Sequence, residues 1–342
     1  MDDRQQSLQN WVQNTLVDQN LGNMKGSLVT VSGDASFRRY FRQATENATY
    51  IAVDAPPEKE NSEPFVRIAK HWFEQGVNVP EVLAWDESQG FMLLSDMGDQ
   101  LLLPLLTEDK ASDLYHQAMD ALVGIQQTSL TLPEYDQALL DREMQLFPDW
   151  FLVEHLGMDL NGHDRQVLSE TFELLRETAL GQVQVPVHRD YHSRNLMLLA
   201  DGSMGIIDFQ DAVNGAITYD LVSLLRDAYI AWPKDQVETW ALDYFEKAKA
   251  AGLVGGISPQ QWLLWFDWMG LQRHIKVVGI FARLCYRDGK AGYMQDIPRT
   301  FRYIADVARE YDALTEFSQW IEQRLLPFMA AKGDTSLIEA RQ

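Results

Sequence analysis

Residues 188–195 read HRDYHSRN, an apolar LML follows at 196–198, and GIIDFQDA occupies 205–212. Phosphoryl transfer from a nucleotide asks little covalent chemistry of a protein. It needs a carboxylate to orient the acceptor hydroxyl and take its proton, and hard oxygen ligands to hold Mg²⁺ across the phosphates. An H-x-D-x-x-x-x-N loop followed by an Asp at a strand end supplies both. Asp190 is the candidate base. Asn195 offers the metal a neutral oxygen, and Asp208 an anionic one. His188 is read as the anchor of the loop. The alternative is a polar hairpin with internally satisfied side chains. The IIDF segment, at the right distance after an apolar run, argues against it.

Working outward, the chain changes character near residue 98. Residues 1–20 carry Leu8, Trp11, Val12 and Leu16 at helical spacing. Residues 28–54 read as three short strands, the first two joined by GDAS, a hairpin turn. A helix follows at 63–75 with Phe65, Ile68, Ala69, Trp72 and Phe73 on one side. Two more strands flank DESQG before residue 95. Beyond Gly98 helical periodicity predominates, predicting helices at 108–127, 140–156, 164–180, 218–231, 235–251, 259–286 and 299–331. Short strands near 195–199 and 205–208 interrupt them. The expected class is α+β: residues 1–98 form a small, antiparallel, β-rich lobe, and 99–342 a larger helical lobe holding the loop.

Composition narrows the function. At 342 residues the chain exceeds one ordinary core. A formal net charge of −21 disfavours nucleic acid and anionic membrane as partners, since both need a positive surface. Cys285 is the single cysteine, so no internal disulfide can form; it sits in FARLCY, a packed context. No apolar run approaches the ~18 residues of a membrane span. The opening MDDRQQSLQNW lacks the basic and apolar regions of a secretory signal. A cytoplasmic location is expected.

HRDYHSRN with IIDFQDA and YDLVSLLRDAY resembles the aminoglycoside phosphotransferase and choline kinase group, small-molecule kinases with a protein-kinase-like two-lobe fold. That group commonly reads H-x-D-x-H-x-x-N, and His192 matches its second His. Protein-kinase marks are missing: Gln210 stands where a Gly would follow Asp-Phe, and there is no G-x-G-x-x-G. The resemblance extends along nearly the whole chain and implies ATP and Mg²⁺. SGDASFRRYFR at 32–42 is similar to the phosphate-covering loop, with Gly33, Asp34, Ala35 and Ser36 near the phosphates. FMLLSDMGD at 91–99 looks like the hinge, with Ser95 to Met97 meeting adenine. Asp220 in YDL resembles the buried Asp that holds the catalytic loop; a simple helix cap is its alternative.

One departure matters. The third strand of such kinases usually carries a phosphate-binding Lys, but here it reads YIAVDAPP, with Asp54 near that position. Arg38, Arg39 and Arg42 are candidates to replace the Lys, with Arg39 taken as the cofactor-binding one and Lys59 less favoured. Strand alternation puts Arg39 on the opposite face from the other two. The role of Glu63, the usual partner of that Lys, is open. The combination of SFRRYFR, the DAPP-type strand, DFQDA and YDLVSLLRDAY is similar to the anomeric N-acetylmuramate/N-acetylglucosamine kinases of cell-wall recycling. That resemblance implies an amino-sugar acceptor. Its carboxylate would want a cation, for which Arg273 or Lys276 on the 259–286 helix is expected, unless these line a solvated basic face. His192 and Glu154 are further candidates for the sugar, with His155 beside the latter. Asp211 is a turn residue or a second metal ligand. Two rival readings are a kinase of another small alcohol and a nucleotide-binding pseudokinase.

Overall fold

The computed structural model describes residues 2–33 and 37–331. The expected first helix is α1 (Asp3–Asp18), capped by Asp2, which accepts from the Gln5 N–H; Leu8, Val12 and Leu16 are its buried stripe. Strands β1 (Lys25–Gly33), β2 (Arg39–Ala44) and β3 (Thr49–Asp54) form a meander. Helix α2 (Glu63–Glu74) buries Phe65, Ile68, Ala69 and Trp72. With β4 (Val82–Asp86) and β5 (Phe91–Ser95) the sheet is five-stranded, wholly antiparallel, in the order β1-β2-β3-β5-β4. Alternation along the strands sends Leu28, Phe41, Ala52, Phe91 and Leu93 into one core with the α1 stripe.

The chain divides into two compact units. The first runs to Pro104 and includes Arg194–Asp211; the second takes Leu105–Ser193 and the chain from Ala212 onward. The second unit opens with α3 (Ala111–Gln126), α4 (Gln137–Met144) and α5 (Gly162–Leu180), the last begun by a reciprocal capping box of Asn161 and Asp164. The single helix predicted over 140–156 is instead α4 and a π-helical turn, Phe147–His155. Pro148 has no N–H and cannot continue an α ladder. Strand β6 (Gln184–Val187), which periodicity did not predict, leads straight into HRDYHSRN. In the first unit, β7 (Leu196–Leu198) and β8 (Met204–Ile206) form a hairpin. Back in the second, β9 (Val213–Ala216) pairs antiparallel with β6.

Helices α6 (Tyr219–Leu225), α7 (Lys234–Ala250), α8 (Pro259–Tyr286) and α9 (Ile297–Glu310) follow. α6 stops short of the predicted 231, because Arg226 leaves helical geometry (ψ 52°) and pairs with Asp267 at 2.5 Å. α8 matches its predicted span and packs against α4, α5, α6, α7 and α9. Its Gly279 lies against the Leu146–Phe147 backbone: a Cβ there would come 2.4 Å from the Leu146 carbonyl carbon. The predicted 299–331 helix is broken. α9 ends where Tyr311 turns extended (φ −120°, ψ 125°) and its hydroxyl donates to Asp267 at 2.5 Å. Then come α10 (Thr315–Trp320), a π-helical turn (Ile321–Leu325) and α11 (Leu326–Ala331). No helix among the described residues is long and apolar enough to cross a membrane.

Candidate active site

In the second unit, β6 delivers the chain to His188, which is buried. The His188 N–H donates to Asp220 Oδ2 (2.6 Å) and the Arg189 N–H to Oδ1 (3.0 Å). Asp220 is fully buried in the first turn of α6, and burial pushes its carboxyl up to about 7 against the pull of those two donors. Arg189 stands at φ 76°, a left-handed conformation uncommon for a residue other than glycine. The Asp190 N–H donates to His188 Nδ1 (3.2 Å), which leaves the ring proton on Nε2. Tyr191 is buried, and its hydroxyl donates to the Ala118 carbonyl in α3 (2.7 Å). Ser193 donates its N–H (3.0 Å) and its hydroxyl to Asp227. Asp190, half-buried, thus lies between anchors on both sides. The His192 ring meets Tyr229 edge-on at 5.3 Å.

The charges around the loop are unbalanced. Glu143, on α4, accepts from the Arg189 guanidinium and the Tyr135 hydroxyl, and pairs with Lys276 on α8 at 3.1 Å. Lys276 also donates to the Tyr219 hydroxyl (2.9 Å). Two cations share one carboxylate, so one positive charge is in excess. Burial opposes ionisation of Asp190, but the electrostatic pull of Lys276 first, and of His192 and Arg273 after it, outweighs burial and holds the carboxyl below its ordinary value.

Arg273, His274 and Lys276 are all buried, so the solvated basic face weighed from the sequence is not present. Arg273 is 3% exposed, and its Nε and Nη1 have no partner among the described residues. Gln272 beside it is fully buried, with neither amide atom partnered among the described residues. His274 donates Nε2–H to the Arg226 carbonyl (2.9 Å) and stacks on Tyr303; burial pushes it down to about 3, so it is neutral. Glu154 is exposed on the π-helical turn, and the His155 ring contacts the Tyr286 hydroxyl at 2.8 Å.

In the first unit, Asn195 and Asp208 flank the β7–β8 hairpin. The Ile207 N–H donates to the Asn195 carbonyl (3.1 Å), and the Asn195 amide reaches Asp208 Oδ2 (3.2 Å). Gln210 donates to Asp208 Oδ1 (2.8 Å). Asp208 is exposed at φ 68°, the second strained residue of the motif. Phe209 after it is fully buried, stacked on Phe65 at 4.9 Å and tilted against Trp72. One carboxylate and one amide oxygen, the Asn195 amide turned over, suit Mg²⁺, which fills its other places with water and phosphate oxygens. Asp211 is exposed in the turn that follows.

On the nucleotide side, Gly33 ends β1 opposite Arg39, while Asp34, Ala35 and Ser36 lie outside the described residues. Ser95 is engaged on both counts: its N–H donates to the Glu81 carbonyl (3.0 Å) and its hydroxyl oxygen accepts from the Glu81 N–H (2.9 Å). The Met97 methyl lies beside Gly205 of β8, 3.0 Å from where a Cβ would stand. Arg39, expected at the phosphates, binds Asp54 (Nε–Oδ2 3.0 Å) and Asp2 instead. Asp54 is fully buried between Arg39 and Arg4.

Three participants escaped the sequence reading: Glu143, Tyr135 and Asp227. Asp227 had a visible sign, being the second Asp of the mostly apolar YDLVSLLRDAY. Glu143 had none, since DREMQ reads as an ordinary helix surface.

A family model described as "Phosphotransferase enzyme family" matches residues 27–253. The chain is 44% identical to an N-acetylmuramate/N-acetylglucosamine kinase of Pseudomonas aeruginosa, covering 85% of this chain and 87% of that protein. It is 42% identical to one of the same name from Neisseria meningitidis, covering 91% and 93%. Among solved structures, choline kinase LicA from Streptococcus pneumoniae superposes with a TM-score of 0.59 at 14% identity over 87% of this chain and 98% of that one. A thermostable mutant of aminoglycoside phosphotransferase APH(4)-Ia gives 0.57 at 16% identity, covering 86% and 98%. At such low identity these two bear on fold alone. With a matching family model across most of its length and relatives this similar, the chain belongs to the phosphotransferase enzyme family.

Proposed function

We propose that this protein is an ATP- and Mg²⁺-dependent kinase of the anomeric C1 hydroxyl of N-acetylmuramate and N-acetylglucosamine, acting in cytoplasmic peptidoglycan recycling. The observation that carries the chemistry is Asp190, ionised and fixed between the Asp220 and Asp227 anchors. The names of the relatives support the acceptor. Asp190 takes the proton of the C1 hydroxyl, which is more acidic than an ordinary alcohol, so a carboxylate suffices as base. The C1 oxygen forms its bond to the γ-phosphorus as the bond to ADP breaks. Asn195 and Asp208 would hold Mg²⁺, which would neutralise charge building on the phosphates. His188 and Asp220 keep the loop in place. Residues 1–98 serve the nucleotide, with Gly33 to Ser36 at the phosphates and Met97 at adenine. Residues 99–342 carry the acceptor side, with His192 and Glu154 as sugar contacts.

Of the two cations expected for the muramate carboxylate, Arg273 is favoured, since Lys276 is committed to Glu143 and Tyr219. A buried guanidinium fork suits a bidentate carboxylate. Incubation with ATP, Mg²⁺ and each sugar, followed by ³¹P NMR, should give a sugar 1-phosphate. No turnover of either sugar would sink the acceptor. Asp190→Asn should slow turnover by roughly 10²–10⁴-fold; a wild-type rate would remove the base. Arg273→Gln should cut kcat/KM for N-acetylmuramate about 30-fold more than for N-acetylglucosamine. Equal losses would assign Arg273 to structure.

A further inference from the structure

Four side chains form one row across the sheet of the first unit. Val29 on β1, Arg42 on β2, Ile51 on β3 and Leu94 on β5 are successive cross-strand partners. Paired residues share a face. This face is opposite the one on which Phe41, Ala52 and Leu93 pack with α1. Three of the four are aliphatic. The fourth, Arg42, crosses β3 to reach the segment that follows β5. Its Nε donates to Asp96 Oδ2 (2.5 Å) and its Nη1 to Asp99 Oδ2 (2.8 Å). Its Nη2 donates to Asp96 Oδ1 (3.0 Å) and to the Gly98 carbonyl (3.1 Å). One planar fork thus holds both ends and the middle of residues 96–99.

That segment lies outside the strands, with Gly98 at φ 85° and its N–H bonded to Asp96 Oδ1 (2.9 Å). The Asp96 side chain is 4% exposed, and Asp99 brings a second carboxylate to the same guanidinium. Without Arg42 two like charges would face each other, one of them buried, and the segment would shift to rehydrate it. The chain beyond is clamped as well. The Leu102 N–H donates to the Leu196 carbonyl (2.8 Å), and the Leu198 N–H to the Gln100 carbonyl (2.9 Å). β7 begins one residue after Asn195, and β8 ends two before Asp208. Met97, proposed to meet adenine, lies between the two clamps, its methyl beside Gly205 of β8. The base segment and both proposed metal ligands therefore share one frame within the first unit.

We infer that Arg42 is a positioning residue for the nucleotide base: it fixes residues 96–99 in the shape that presents Met97 to the purine. The sequence offered Arg42 as a stand-in for the phosphate-binding lysine. Its hydrogen bonds commit it to the base segment instead. This inference rests on the reading of ATP as the phosphate donor.

The test is calorimetric binding of adenosine, which has no phosphates, and of Mg·ATP, with steady-state kinetics beside it. Arg42→Met should weaken both ligands by the same factor, about 10-fold. It should raise the KM for ATP with a smaller effect on kcat, and leave the KM for N-acetylglucosamine in place, which also reports an intact fold. Arg42→Lys keeps the charge but not the fork and should recover part of the loss. Asp96→Asn should act in the same direction, and the double variant should bind adenosine no more weakly than Arg42→Met alone. A loss confined to Mg·ATP would return Arg42 to the phosphates. A matching rise in the KM for the sugar would assign it to general stability. Wild-type adenosine affinity in both single variants would remove the role. Each of these overturns the inference. Wild-type protein that binds neither adenosine nor Mg·ATP would sink the donor reading itself, and the inference with it.

Discussion

Single residues in this protein carry unequal burdens of charge, and His274 is the clearest case. It is fully buried and neutral, with its folded-state pKa near 3 against an ordinary value of 6.5. Between those values the unfolded chain binds a proton that the folded chain refuses. Stability from this group is therefore complete above about pH 6.5 and is lost as pH falls toward 3, at about 1.4 kcal/mol per pH unit. Urea unfolding between pH 7 and 4 should show His274→Phe with a shallower acid decline than wild type, by about one proton. Parallel curves would mean that His274 titrates normally in the fold. Asp190, Asn195 and Asp208 were legible as candidates because their spacing lies within one loop and one strand end. Of the partners that fix the loop around Asp190, Asp220 was named through the family resemblance, but Asp227 was not, since it reaches Ser193 across more than thirty residues of sequence.

At the scale of elements, α8 organises the second unit. Arg189, and Lys276 on α8, share the single carboxylate of Glu143 on α4, which leaves the excess positive charge that favours ionised Asp190. Lys276→Met removes it, so the Asp190 carboxyl should rise. Because Asp190 as the proposed base must be unprotonated, the acidic limb of the kcat/KM profile should move to higher pH. Glu143→Gln adds net positive charge and should move that limb the other way. Shifts of the same sign in both variants would point to disrupted packing. Gly279 tests the packing itself. On propensity alone, Gly279→Ala would stabilise a helix by about 1 kcal/mol. Here the new methyl meets the Leu146–Phe147 backbone. We expect a net destabilisation of roughly 1–3 kcal/mol by chemical denaturation, and a gain in stability would refute the close approach. The span of α8 was legible because its periodicity runs uninterrupted from Pro259 to Tyr286. The break at Tyr311 was not, since it depends on Asp267, far back in the chain.

For the whole molecule, the net charge of −21 sets a self-repulsion that surface pairs such as Lys247–Asp120 offset only weakly. Raising NaCl from about 0.05 to 0.3 M shortens the screening length and should raise the thermal midpoint by a few degrees; a fall would show that ion pairs outweigh the repulsion. The amino-acid sequence by itself determined the loop proposed here for phosphoryl transfer as a candidate, the antiparallel β-rich start and most of the helices. These rest on local regularities: the period of a strand or helix, and the fixed reach of a few residues along one loop. Only the tertiary structure decided which charge answers which. It assigned Arg39 to Asp54, Arg42 to Asp96 and Lys276 to Glu143, and so singled out Arg273. Ion pairing acts through space over a few ångströms, and packing, not spacing along the chain, brings those carboxylates within reach.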